Sequence, residues 1–83
     1  MPYIDQAARV RLRHSIPQTE TSGELNYVLT VTVLDYLARH GTKYATINDC
    51  LGALEGCKLE LYRRFAAPYE DVKIESNGDV FPL

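Results

Sequence analysis

The sequence predicts an all-α fold: an antiparallel helical hairpin with a short N-terminal helix, a short C-terminal helix and an extended C-terminal tail. Three observations predict it. Thr21-x-x-Glu24 and Thr46-x-x-Asp49 have the spacing with which a hydroxyl and a carboxylate satisfy orphaned backbone donors at a helix start. Arg39-His40-Gly41 and Asn77-Gly78 read as helix stops, the first placing cations before a glycine. Between starts and stops, the apolar residues recur at helical spacing.

Asp5 to His14 forms the short N-terminal helix, with Asp5 as its cap and a weak apolar stripe of Ala7, Ala8, Val10 and Leu12. Ile16 to Gly23 is a loop, because Pro17 pushes its predecessor out of helical geometry and the Thr, Glu and Ser residues favour turns. The second helix starts at Thr21 and stops at Gly41. Its Leu25, Val28, Leu29, Val31, Val33, Leu34 and Leu37 are apolar around most of the circumference. Val28 to Leu34 also suits a strand by propensity, but the caps and the length decide for helix.

Gly41 to Ala45 is short enough to make the next helix an antiparallel neighbour. That helix starts at Thr46 and carries Leu51, Leu54, Leu61 and Phe65 until Pro68. Glu60 faces Arg63 and Arg64 at three and four residues, which marks a solvent-facing surface. Gly52, Ala53, Gly56 and Cys57 give it a narrow waist, and a helical glycine costs up to about 1 kcal/mol against alanine. Close approach of the hairpin partner or of a second copy would compensate. Pro68 opens the short C-terminal helix through Ile74, and Asp79 to Leu83 is the tail, with Val80 and Phe81 available to dock.

With 83 residues there is room for one domain, residues 1–83. Such a chain buries only roughly 60–65% of its unfolded surface. An apolar fraction of 46% supports a core, and a net charge of −2 argues against a nucleic-acid partner held by bulk electrostatics. The ends differ in sign: Arg9, Arg11 and Arg13 stand near the start, and Glu70, Asp71, Glu75 and Asp79 near the end. No stretch reaches the roughly 20 apolar residues of a membrane span, and no signal pattern opens the chain, so it reads as cytoplasmic. Cys50 and Cys57 lie seven apart, about 10 Å along a helix and beyond disulfide reach. They read as free thiols and small core residues, with a bond across a symmetric dimer left open.

No catalytic residue, metal site or cofactor is expected. His14 and His40 lack zinc-site spacing, no serine sits in a Gly-x-Ser-x-Gly turn, and Gly52 to Gly56 lacks the Lys-Ser/Thr of a phosphate loop. The candidate ligand-binding residues are Tyr62, Arg63, Arg64 and Tyr69, since guanidinium forks grip phosphates and tyrosine faces stack on bases. Packing and surface ion pairs account for the same residues without a ligand.

Gly23-Glu-Leu-Asn-Tyr27, Tyr36-Leu-Ala-Arg-His-Gly41, Thr46-Ile-Asn-Asp49, Ala53-Leu-Glu55, Lys58-Leu-Glu60, Tyr62-Arg-Arg64, Ala67-Pro-Tyr-Glu-Asp71 and Asn77-Gly-Asp79 follow in this order. In these motifs the chain resembles a family of uncharacterised small proteins of phages, prophages and their bacterial hosts. The segment before Gly23, with its alternating arginines, stands outside the resemblance. What the resemblance implies is context: a small accessory protein, with no site residues to carry over. The expectation is a non-enzymatic binding module and homo-oligomer that sequesters a host defence nucleotide. The alternative is a structural or regulatory protein that binds a host or phage protein, and a small nucleotide hydrolase ranks third.

Overall fold

The computed structural model describes residues 4–81 and is all-α. Its helices are α1 (Gln6–Arg13), α2 (Ser22–His40), α3 (Tyr44–Leu61) and α4 (Ala67–Asn77), with a π-helical turn at Tyr62–Ala66. No strand occurs among the described residues, so the caps outweigh the strand propensity of Val28 to Leu34. The chain divides into two units, one up to Cys50 and one from Leu51 on.

In the first unit, Asp5 Oδ1 accepts the Ala8 N–H at 2.8 Å and starts α1 as expected. Thr21 Oγ1 accepts the Glu24 N–H at 3.1 Å and starts α2. The reciprocal half of this capping box is displaced by one residue, because the Glu24 carboxylate accepts from the Glu20 N–H at 2.9 Å. Within α2, the Thr30 and Thr32 hydroxyls donate to the carbonyls of Asn26 and Val28, at 2.8 and 2.6 Å. These back-bonds satisfy the hydroxyls of a β-branched stretch inside the helix. Gly41, at φ 91°, ends α2 with its N–H donating to the Leu37 carbonyl. An L-residue with a side chain resists that conformation, which is why glycine stands there.

Helix α3 begins two residues before the Thr46 start that the sequence suggests, since the Ile47 N–H already bonds the Lys43 carbonyl at 3.0 Å. The Thr46-x-x-Asp49 pair therefore lies inside the helix and is not its cap. Thr46 is 2% exposed and Cys50, one turn on, is 8% exposed. No other described residue is buried. The Tyr36 hydroxyl donates to Asp49 Oδ2 at 3.3 Å, so the chain turns back on itself at Gly41–Lys43 within this unit.

The second unit contains the remainder of α3, the π turn and α4. Its backbone stays helical from Leu61 through Ala67, and the widened turn is closed by the Ala67 N–H donating to the Tyr62 carbonyl. Proline explains the widening: Pro68 has no N–H to give, and its ring clashes with the carbonyl four residues back. The expected break at Pro68 is thus a π turn without loss of helix. Gly78, at φ 87°, ends α4 with its N–H on the Ile74 carbonyl at 2.7 Å, three residues later than the expected end at Ile74. In the tail, Asp79 Oδ1 accepts the Phe81 N–H at 3.0 Å. Pro82 and Leu83 lie outside the described residues.

Burial departs most from expectation. Leu51, Leu54, Leu61 and Phe65 have the spacing of a core stripe, yet all are exposed, Phe65 at 72%. Cys50 and Cys57 are free thiols, but Cys57 is exposed and is not the small core residue its spacing suggests. A methyl added at Gly52 or Gly56 would meet nothing within 4 Å.

Candidate functional site

The four candidate residues lie on the π turn and the first turns of α4. Arg63 and Arg64 are adjacent, so on a regular helix they would point about 100° apart. Glu60, one turn earlier, brings their guanidinium groups to one carboxylate. Arg64 Nε lies 2.9 Å from Oε2, and Arg63 Nη1 lies 3.6 Å from Oε1. Foremost through its hydrogen bond with Arg64, the Glu60 carboxyl is held below its ordinary pKa, against a smaller opposing effect of desolvation. The sequence reading of Glu60 facing both arginines across a wet surface holds.

The two tyrosines are also engaged. The Glu70 carboxylate, two turns on, raises the Tyr62 phenol above its usual pKa, through hydrogen bonding first and its charge second. Tyr69 carries the Lys73 ammonium 5.5 Å from its ring centroid, a cation–π arrangement. Tyr62 is 51% and Tyr69 64% exposed, so both rings keep open area. The segment thus gathers two guanidinium groups and two phenols on about two turns of helix. Chemically it can offer forks to an anion that displaces Glu60, and aromatic faces to a planar or apolar partner.

In the first unit, Tyr36 and Asp49 form a second polar contact, which the sequence did not single out. The Asp49 charge raises the Tyr36 phenol above its usual pKa, with desolvation and the hydrogen bond adding to it. The Tyr36 ring lies 4.3 Å from the His40 ring, tilted by 40°. A tyrosine thirteen residues from a carboxylate gives no local signal. Only the length of the Gly41–Lys43 turn could have suggested the pairing.

Among the described residues, no three His, Cys, Asp or Glu side chains gather as metal ligands would. No described helix is long and apolar enough to cross a membrane. No curated protein and no solved structure matches the chain. A family model does match, over residues 1–80, a span that includes the segment before Gly23 and its arginines. By that match the chain belongs to DUF6899, a family described as a domain of unknown function.

Proposed function

We propose that the chain is a non-enzymatic interaction module whose ligand is protein, in the manner of a small phage-type accessory protein working in the bacterial cytoplasm. The observation that carries this reading is the exposure of large apolar side chains along every long helix. Leu25, Tyr27, Leu29 and Leu34 on α2, and Leu51, Leu59 and Leu61 on α3, are all exposed. Single exposed leucines are ordinary on a folded protein, but a series on successive turns calls for a covering partner.

A second reading, an oligomer that sequesters a host defence nucleotide, is favoured by one observation: Arg63 and Arg64 meet at a single carboxylate. A phosphate in place of Glu60 would meet both forks, with Tyr62 and Tyr69 nearby for a base. Native mass spectrometry of the purified chain, alone and with a panel of cyclic and linear nucleotides, separates the two. A protein complex that takes up no added small mass supports the first reading. A nucleotide adduct that Arg63→Ala or Arg64→Ala removes replaces it with the second.

A further inference from the structure

The cations of the chain fall into two groups. Arg39 reaches Asp35 at 2.8 Å, Lys58 reaches Glu55 at 3.9 Å, Arg63 and Arg64 share Glu60, and Lys73 stands over the Tyr69 ring. The arginines of α1 differ. Among the described residues, Arg9, Arg11 and Arg13 make no ion pair and no side-chain hydrogen bond. No carboxylate stands between Asp5, which is committed to capping α1, and Glu20. On α4, Asp71 and Glu75 likewise make no ion pair and no side-chain hydrogen bond among the described residues.

These two helices carry one five-residue pattern with opposite charge at its ends. Arg9-Val10-Arg11-Leu12-Arg13 lies on α1, and Asp71-Val72-Lys73-Ile74-Glu75 on α4. At about 100° and about 1.5 Å per residue, the first and fifth positions share one side of a helix, about 6 Å apart along its axis. The second and fourth flank that side by about 80° each, and the third points to the back. Helix α1 therefore presents two guanidinium groups between Val10 and Leu12, and α4 presents two carboxylates between Val72 and Ile74. All eight side chains are exposed, Val10 at 52%, Leu12 at 48%, Val72 at 61% and Ile74 at 41%. The third-position cation of α4, Lys73, is turned to Tyr69 on the back of the helix and leaves the carboxylates free of it.

We infer that the Arg9 and Arg13 face of α1 docks on the Asp71 and Glu75 face of α4 in a second copy of the chain. The α1 arginines find no carboxylate within their own chain, so the acid comes from outside it. Because both charged pairs have the same spacing, either direction of the helices sets two guanidinium groups against two carboxylates and brings Val10 and Leu12 against Val72 and Ile74. A lone exposed ion pair contributes little, whereas several in a network beside apolar contact contribute more. The net charge of −2 disfavours a long polyanion as the occupant of α1, while a short acidic helix with apolar flanks matches both its charge and its exposed valine and leucine. This inference rests on the reading of the chain as an interaction module whose ligand is protein, and it names that protein and the two surfaces.

Sedimentation equilibrium of the full chain tests the contact, with two charge-reversed chains, Arg9→Glu with Arg13→Glu and Asp71→Arg with Glu75→Arg. The wild type is expected to self-associate at about 50 mM salt and to dissociate toward about 500 mM, where screening is strong. Each reversed chain alone should associate more than about tenfold more weakly, because its α1 and α4 then carry the same sign. Mixed in equal amounts, the two should associate again, since each α1 meets an α4 of opposite sign on the other chain. The neutral variants R9Q with R13Q and D71N with E75N, which put no like charges face to face, give a second measurement and should remove most of the salt dependence. Association indifferent to the reversed and neutral variants, or reversed chains of intact helix signal that stay apart on mixing, overturns the α1–α4 contact. A monomeric wild type that binds a short single-stranded DNA, and loses it in R9Q with R13Q, overturns it in favour of nucleic acid. A helical monomer that binds an apolar-surface dye overturns the contact and leaves the wider interaction reading standing. A helical monomer that binds no dye overturns both.

Discussion

A phenol that donates to a carboxylate is a bond that alkali must break. Tyr36 bonds Asp49, and the Asp49 charge resists formation of the phenolate in the folded chain. The unfolded phenol ionises near pH 10. A folded pKa above that value means that the contribution is complete below about pH 10 and is lost as pH rises through the folded pKa. Tyrosinate absorbance should therefore show one component titrating late, and the urea midpoint should fall across the same interval. Tyr36→Phe removes that part of the pH dependence, and an unchanged alkaline profile in the variant would contradict the contact.

Glu60 works in the opposite direction. Its folded pKa is lowered, chiefly by Arg64, so its contribution is present above the unfolded glutamate pKa and fades as acid carries the chain through the folded value. Glu60→Gln should flatten the loss of helix signal below about pH 4.3. The same substitution frees both guanidinium groups, so it should strengthen inorganic phosphate binding if the nucleotide reading holds and leave it undetectable if it does not. Much of this cluster was legible in the sequence, because three- and four-residue spacing on a helix dictates which side chains meet. The influence of Glu70 on Tyr62 was not, because it acts across the π turn that spacing rules for a regular helix do not describe.

At the scale of elements, the local signals were the most informative. Asp5, Thr21, Gly41 and Gly78 each act where their chemistry says, since a cap is decided by a few adjacent residues. Thr46 shows where such reasoning stops: the same Thr-x-x-acid pattern lies inside α3, and the threonine is one of the most enclosed residues of the chain. Two predictions belong here. Gly52→Ala and Gly56→Ala meet open space in a helix interior, so each should raise stability by up to about 1 kcal/mol in calorimetry. A loss instead would mean that a second subunit approaches closely at that waist. Pro68→Ala restores a backbone donor and should let the π turn relax to regular helix. Glu70 is then re-aimed, and the Tyr62 phenol returns toward its usual pKa, which a tyrosinate titration would read.

At the scale of the whole molecule, an apolar stripe in a sequence announces burial without saying which chain provides the cover. Leu51, Leu54 and Phe65 have core spacing and are exposed, and no residue of α2 is buried despite its all-round apolar character. Helix content was therefore readable and the packing was not, because periodicity reports a face and not its occupant. If the occupant is a second copy, stability is inseparable from concentration. The thermal midpoint should then rise with each dilution step reversed, and a midpoint independent of concentration would count against self-pairing.

The alternation of valine and threonine along Val28 to Leu34 has a consequence for the chain before it folds. In α2 the Thr30 and Thr32 hydroxyls are tied to their own helix, and the strand-like pattern is masked. On a newly made or acid-melted chain those ties are gone. A six- or seven-residue β-branched segment without charge or proline is then the composition from which steric zippers and amyloid grow. Helix formation from its own caps withdraws this segment from that route.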